Sequence, residues 1–459
     1  MASCSYNFSF SKSYMVHTGV PQGSVISPIL FNFYLSDLPQ HDEPNDSCDA
    51  DKDTYADDAL SSHSSHIIPI SEGHVNSDLD SISTWSDLNG LSIAPHKSSI
   101  TIFTPDKSQS NYYPNIHING IPFPLDKTPK FLGVTYDTHF TFTPHVDNLV
   151  ARVSSRLKLL KCLAGTTWGH QKETLLLTFK AIIRPLFTYA SSAWFPNAFP
   201  TSIAKLQTLQ NQIFRVCTGC VGSSSLSHLH NETKFLPVKE HLELLCTQYL
   251  ASSLRPNHPN FPTVTKSSGP RNKKHTLQSR FFPQLEPFLA PDGTTPPDSY
   301  KTILKQLHTY AVGEAMEALE PNCVLNSPPP EINDTEITLP RPYRTTLSQL
   351  RSGWCSKLNS YLFLIKVSPT NLCPLCRSTE DSVDHLFSCP THPTPLTPED
   401  LWHSPLEVAQ FLKNHPSFSA HLPPLPRPPP GTSTQPLKTS DKLGPTNDDP
   451  GHGKKQQQH

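Results

Sequence analysis

Apolar residues recur through the middle of the chain at spacings of three and four, the signature of helices with one buried face. Val146, Leu149, Val150, Val153, Leu157 and Leu160 form one stripe, preceded by the helix-start pair Thr143-Pro144. Leu175, Leu176, Phe179, Ile182, Ile183 and Leu186 form a second. Pro185 should end or kink it, because proline lacks the amide hydrogen that a helix interior needs. Ile203, Leu206, Leu209, Ile213 and Phe214 give a third, and Val238, Leu242, Leu245 and Tyr249 a fourth. Four such helices can bury one another, so 141–255 is expected to be a helical bundle. Upstream, residues 1–140 mix short apolar runs with turns. Residues 256–345 are rich in Pro, Ser and Thr with few clear elements and are expected to be a linker. Pattern returns over 346–395 and fades into a tail, 416–459, expected to be disordered.

Composition narrows this picture. Proline accounts for 48 of 459 residues, roughly twice the usual share, while glycine, at 18, is scarce. Prolines this dense interrupt helices and central strands, which disfavours a coiled coil, a collagen or a single compact domain. The 37 Lys and Arg against 39 Asp and Glu give a net charge of −2, so bulk electrostatics supply no strong nucleic-acid footprint. No apolar run approaches the length of about 18 residues of a membrane span, and the N-terminus lacks the apolar centre of a signal peptide. With 11 cysteines, an odd number, and no secretory leader, the expectation is reduced thiols in an intracellular protein, nuclear or cytoplasmic and not secreted.

Three groups of residues carry candidate chemistry. Thr18-Gly19-Val20-Pro21-Gln22-Gly23-Ser24 reads as a tight loop with exposed amides. It leads through Ser27-Pro28 into an apolar helix, whose start can hold an anionic group such as a phosphate. Tyr55-Ala56-Asp57-Asp58 sets two carboxylates side by side in a turn, an arrangement suited to Mg²⁺ when substrate phosphates complete the shell. Cys373, Cys376, His385 and Cys389 follow the spacing C-x2-C-x8-H-x3-C, which suits a closed tetrahedral Zn²⁺ site of structural rather than catalytic type. His392 could compete with His385 but lies past Cys389. A second C-x2-C pair, Cys217 and Cys220, lacks partners at finger spacing and is read as packing. The basic run Arg271-Asn272-Lys273-Lys274-His275 is a candidate nucleic-acid contact, with a solvated loop the favoured alternative. In the tail, Pro423 to Pro428 offers a polyproline segment to an SH3-type partner.

TGVPQGS, SPILFNFYLSDLP and YADD in succession resemble the palm of reverse transcriptases of non-LTR retrotransposons, specifically jockey-like ones. Lys97 in HKSSITIF, Phe131-Leu132-Gly133-Val134 with Asp137, and Ile183-Arg184-Pro185-Leu186 with Thr188-Tyr189-Ala190 and Trp194 extend the likeness. So do the stretch from Arg215 to Pro237, including Glu232, and Leu350-Arg351-Ser352-Gly353 ahead of the cysteines. The resemblance implies an α+β fold: a partial polymerase palm (1–140), a helical thumb (141–255), a linker (256–345) and a zinc knuckle region (346–395). It implies Asp57 and Asp58 as catalytic Mg²⁺ ligands, and Tyr55 near the primer end. Gly19, Pro21, Gln22 and Gly23 would lie against template and incoming nucleotide, Lys97 would belong to the segment after the catalytic hairpin, and Phe131, Leu132 and Gly133 would lie on the primer. RNA template and DNA primer are the implied partners. The knuckle is implied to touch template RNA, with Lys366, Arg377 and His392 as candidate phosphate contacts.

The chain also departs from that family. The upstream strand bearing another catalytic aspartate is not found before Thr18, so the chain is expected to be N-terminally truncated and inactive alone. Asp49-Ala50-Asp51-Lys52-Asp53-Thr54 stands where family members have an apolar strand, so the hairpin carrying Asp57 is expected to be poorly formed. Asp51 and Asp53 lie on the same strand as Asp57, and a step of two residues along a strand is about 6.7 Å, so neither is expected to replace the missing acid. The alternative is a non-catalytic RNA- or DNA-binding protein built on thumb and knuckle.

Overall fold

The computed structural model of the chain describes residues 5–6, 9–10, 12, 19–20, 23–39, 49–265, 277–296 and 299–425. Thr18, Pro21, Gln22, the basic run 271–275 and the chain from 426 onward, including the end of the 423–428 segment, lie outside these residues. Helix α1 (Ser27–Tyr34) begins at the expected Ser-Pro and leaves Ile29, Leu30 and Phe33 exposed. Strands β1 (Asp49–Tyr55) and β2 (Asp58–Ser64) pair antiparallel, from Asp49 opposite Ser64 to Tyr55 opposite Asp58, as a two-stranded sheet. Helix α2 (Ile68–Leu88) packs on this hairpin.

The expectation of a poorly formed hairpin is corrected. All seven residue pairs of the ladder are made. Toward its tip the acidic strand is tolerated because it is not buried: Asp53 to Leu60 are exposed. The contact with α2 is polar rather than apolar. Lys52 Nζ lies 3.0 Å from Asp78 Oδ1, and Ser61 Oγ and His63 Nε2 lie 3.1 and 2.6 Å from Asp78 Oδ2. Burial pushes the Asp78 carboxyl up, but hydrogen bonds from His63 and Lys52 outweigh it and hold the group below its usual value. A further hairpin, β3 (Lys130–Phe131) and β4 (Val134–Thr135), leads into the bundle.

Helix α3 (Thr143–Lys161) buries Val146, Leu149, Val153, Leu157 and Leu160 on one face. Helix α4 (Lys172–Thr178) passes through a π-helical turn, Phe179–Ile183, into Arg184–Thr188. The wider turn accommodates Pro185, whose ring would otherwise press on the carbonyl of the preceding turn, so the apolar stripe continues past it. Helices α5 (Pro200–Thr218), α6 (Leu226–Thr233) and α7 (Val238–Ser253) complete the bundle, with α5 packed on α3, α4, α6 and α7. In α7 the buried row is Val238, Leu242, Cys246 and Leu250. The expected Leu245 is only partly buried, and Tyr249 faces solvent, where its hydroxyl accepts a hydrogen bond from Asn260.

The segment 256–345 is more than a linker. It contains α8 (Leu277–Leu285) and α9 (Tyr300–Glu317), and Phe281, Leu285, Ile303, Leu307 and Ala315 enter the bundle's core. The apolar pairs Phe281 and Leu285, and Ile303 and Leu307, stand four apart, one face of a helix, which seats each in the bundle's groove. A second core forms around α10 (Arg341–Arg351), α11 (Val383–Ser388) and α12 (Pro405–Asn414). Residues 416–425, expected to belong to a disordered tail, are ordered against this core: Phe418 and Leu422 are buried in it, and the Tyr343 hydroxyl donates to the Pro423 carbonyl at 2.6 Å. Among the described residues, no helix is long and apolar enough to cross a membrane.

Candidate active-site hairpins and metal centre

Tyr55, Ala56, Asp57 and Asp58 form the tip of the first hairpin. Ala56 and Asp57 make a two-residue turn, with Ala56 at φ 53°, and Asp58 opens β2. Tyr55 is 63% exposed, and both carboxylates stand in solvent. Oxygen donors are the right chemistry for Mg²⁺. Two exposed neighbours on a two-stranded hairpin nevertheless do not by themselves fit a two-metal clamp, which needs carboxylates converging from facing elements. Gly19 and Gly23 both adopt positive φ, 89° and 86°, ahead of α1. Lys97 ends a one-turn 3₁₀ segment, Pro95–Lys97, and is exposed.

The second hairpin is held from outside. Leu132 and Gly133 have φ of 46° and 84°, the paired positive values of a type I′ turn, which matches the natural twist of two strands. The Tyr189 hydroxyl donates to the Leu132 carbonyl at 2.7 Å. A Cβ on Gly133 would come within 3.1 Å of the Tyr189 ring, so glycine answers both the backbone twist and the close approach. Trp194 Nε1 donates to the Tyr189 carbonyl at 3.0 Å, and the Trp194 ring packs 5.4 Å from His145. His145 Nδ1 accepts from the Thr135 amide at 3.2 Å. Burial, with Arg152 nearby, lowers the His145 pKa to about 4, so the ring is neutral. The Phe131-Leu132-Gly133 motif and the Thr188-Tyr189-Ala190 and Trp194 motifs, far apart in sequence, thus form one unit joined to α3.

Cys373, Cys376, His385 and Cys389 come together so that their ligand atoms all lie within 4.8 Å of one another. Cys373 and Cys389 Sγ are 3.9 Å apart, and Cys376 Sγ is 3.3 Å from His385 Nε2. A tetrahedral ion with Zn–S bonds of about 2.3 Å would set its sulfurs about 3.8 Å apart, so the donor set and its spacing fit Zn²⁺. A tight turn brings the first two cysteines round: Arg377 N donates to Cys373 O and Cys373 N to Thr379 O, with Arg377 at φ 54°. Ser382 caps α11 by accepting from the His385 amide, which fixes the histidine on the first turn. Hydrogen bonds from the Ser378 side chain and backbone lower Cys376 to about 6, while burial raises Cys373. His392 is not part of the cluster; it packs against Phe411 and His415. Cys217 and Cys220 lie in the bundle core, and burial pushes the Cys217 thiol up to about 12, the state of a packing residue.

The sequence reading missed what joins the metal-cluster region to the bundle. Arg351 is wholly buried. Its guanidinium reaches Glu232 Oε1 at 2.9 Å, Glu336 Oε2 at 2.6 Å and the Leu401 carbonyl at 2.9 Å. Lys172 also pairs with Glu232, at 2.9 Å. Arg341 donates to the carbonyls of Gly165, His170, Val216 and Cys217, and Gln349 to that of Gly219. Gly219 ends α5 at φ 75°, and a Cβ there would lie 2.3 Å from Thr345 Cγ2. The only sequence signal was that Glu232 and Arg351 both sat in family-like stretches; their pairing across 119 residues had none.

The Tyr-Ala-Asp-Asp and Phe-Leu-Gly motifs that carry the resemblance thus each sit at the turn of an antiparallel hairpin. Comparisons with known proteins bear on the same resemblance. Residues 3–136 match the family described as Reverse transcriptase (RNA-dependent DNA polymerase). The chain is 26% identical over 266 residues to the probable RNA-directed DNA polymerase from transposon X-element of Drosophila melanogaster, covering 55% of this chain and 28% of that protein. It is 28% identical over 260 residues to the probable RNA-directed DNA polymerase from transposon BS of the same organism, covering 54% and 28%. It is 24% identical over 249 residues to the RNA-directed DNA polymerase from mobile element jockey, covering 53% and 26%. The chain thus spans little more than a quarter of the length of these curated relatives. The resemblance to jockey-like reverse transcriptases of non-LTR retrotransposons, read first from motifs, holds.

Proposed function

We propose that the chain is a portion of a non-LTR retrotransposon reverse transcriptase, whose intact form makes DNA on an RNA template by two-metal nucleotidyl transfer. In this reading residues 1–140 are part of the palm, the bundle is the thumb, and Cys373, Cys376, His385 and Cys389 hold a structural Zn²⁺ in a knuckle. Asp57 and Asp58 are the acids on one side of the Mg²⁺ site, with Tyr55 near the primer end. Gly19, Pro21, Gln22 and Gly23 face template and nucleotide, Lys97 lies after the catalytic hairpin, and Phe131, Leu132 and Gly133 rest on the primer strand. The observation that carries the reading is the Asp57–Asp58 pair at the tip of a regular two-residue hairpin. Because that tip is exposed and, among the described residues, its sheet has two strands, the chain alone is inactive as a polymerase. Primer extension on an RNA template with Mg²⁺ and the four dNTPs is the test. No extension is expected; robust extension abolished by Asp57→Ala would overturn the inactivity.

A second reading, a non-catalytic RNA- or DNA-binding protein, draws on the surface beside the metal cluster. Phe363 is half exposed there, and Lys366 and Arg377 sit at positive-φ turns of the same region. An aromatic face with nearby cations is the usual platform for single strands. RNA binding that is unchanged after zinc chelation and after Phe363→Ala would remove this reading.

A further inference from the structure

A short helix, Asn359–Leu364, stands beside the metal cluster and closes in a left-handed turn at Lys366, φ 61°. The Lys366 amide donates to the Phe363 carbonyl at 3.0 Å and the Val367 amide to the Leu362 carbonyl at 2.8 Å. This double closure folds Val367 back against the helix end. Phe363, Leu364, Ile365 and Val367 are 50, 52, 45 and 68% exposed, and Leu372 is 39% exposed. None of the five belongs to a hydrophobic core. Single exposed apolar residues are ordinary, but four within five positions form a ledge. It is held firmly. The Asn359 amide donates to Asp381 Oδ2 at 2.7 Å, and its side chain to the Leu372 carbonyl at 2.8 Å. The Asp381 amide donates to the Asn371 carbonyl at 2.8 Å. These bonds bring Leu372 to the foot of the helix and tie both to the turn that carries Cys373 and Cys376.

We propose that this ledge is an interface between two copies of the chain. The five residues together expose about 450 Å². A standard interface buries about 800 Å² on each partner, a little over half of it apolar, so the ledge supplies the apolar share of one side. The charges favour a second copy. Lys366 stands exposed within the apolar run, and Glu380 is exposed as well. Leu372 and Glu380 form an antiparallel bridge, which sets their side chains on the same face. One surface therefore carries a cation and an acid about its apolar centre. A two-fold axis through that centre brings Lys366 onto Glu380 of the partner subunit, and the reverse contact follows by symmetry. Four of the five apolar residues are aliphatic. A single strand would stack on Phe363 alone, whereas a second copy covers all five. The ledge lies outside the two hairpins, so the proposal does not rest on the polymerase reading.

The test is sedimentation velocity of the full chain over a concentration series reaching about 100 µM, weak binding for an interface of this size. The parent should dimerise. Leu364→Asp and Val367→Asp change exposed positions, so both should fold, with circular dichroism matching the parent. Each should raise the dimer's dissociation constant at least about thirtyfold, as loss of an interface hot spot does. Lys366→Glu should weaken the dimer, and Lys366→Glu combined with Glu380→Lys should restore it. A parent that stays monomeric, a dimer indifferent to both Asp variants, or a charge swap that restores nothing overturns the proposal. Binding of a labelled oligouridylate to a monomeric parent, weakened by Val367→Asp, also overturns it and gives the ledge to nucleic acid.

Discussion

Replacing Arg351 by Met removes the one cation that both Glu232 and Glu336 grip at full burial. Four hydrogen bonds join its guanidinium to the two carboxylates, and a fifth reaches the Leu401 carbonyl. Lys172 remains on Glu232, whereas Glu336 keeps only Arg344, at 3.7 Å. Methionine fills much of the volume, so the loss is electrostatic: two carboxylates left in a dry interface around one-and-a-half partners. Removing one member of a buried ion pair typically destabilises by about 3–5 kcal/mol. Local opening of α10 is the relevant readout, because a chain with more than one core need not unfold in one step. Amide hydrogen exchange of 341–351 in the full chain should accelerate by about two to three and a half orders of magnitude, at 1.4 kcal/mol per tenfold. The deficit should also narrow in acid. Burial pushes the Glu232 carboxyl up, but Arg351 and Lys172 outweigh it and hold it far below its ordinary value. A depressed carboxylate contributes stability that is present above its unfolded value and lost as pH falls through the folded one. Taking away Arg351 shrinks that contribution, so parent and variant converge as the Glu232 carboxylate protonates. Acceleration below about tenfold, the level of an exposed pair, with no dependence on pH, would refute the buried network as the fastening.

Zinc should bind the cluster at one ion per chain, and Cys389→Ser should release it in a chelator competition; full retention would contradict the four-ligand site. Gly219→Ala should destabilise the chain by about 1–3 kcal/mol through left-handed backbone strain and the clash with Thr345, read as the shift in denaturant midpoint. Tyr189→Phe should cost about 0.5–1.5 kcal/mol, seen as faster exchange at 130–135 with the bundle unchanged. Burial lowers His145, His228 and His415 to about 4, and His241 to about 3 with Arg184 adding to the effect. The unfolded chain then binds more protons below about pH 6.5, so stability should fall from there down to about pH 4. A melting temperature flat between pH 7 and 5 would contradict neutral burial of these rings.

The bundle was legible because periodicity is a local property: stripes at three and four residues are written into any helix that buries one face. The metal cluster was legible for the same reason, since its ligands fall within one short stretch and thiolates have few other uses at that spacing. Tyr189 was visible as part of a motif but not as the brace of the Leu132–Gly133 turn, because nothing local records a hydroxyl meeting a carbonyl 57 residues away.

The harder case is α10. Its sequence, RPYRTTLSQLR, has three charges and several hydroxyls, and reads as a surface helix with a thin apolar line. Yet all but Pro342 of its residues are buried. One face, Tyr343, Leu347 and Leu350, packs into the C-terminal core by the ordinary rule. The other meets the bundle, whose exposed ends are carbonyls at Gly165, His170, Val216, Cys217 and Gly219, groups that demand donors once water is gone. Arginine and glutamine supply them, so polarity marks the buried side of this helix. Local pattern cannot separate that side from a solvated one, because the difference lies in a partner folded from residues more than a hundred positions away. The proline-rich stretch between the two cores is a different case. Ile303, Leu304, Leu307, Ala311 and Ala315 keep helical spacing among the prolines, a local signal masked by composition, and short helices of this kind hold because Phe281, Leu285, Ile303 and Leu307 pack into the bundle's core.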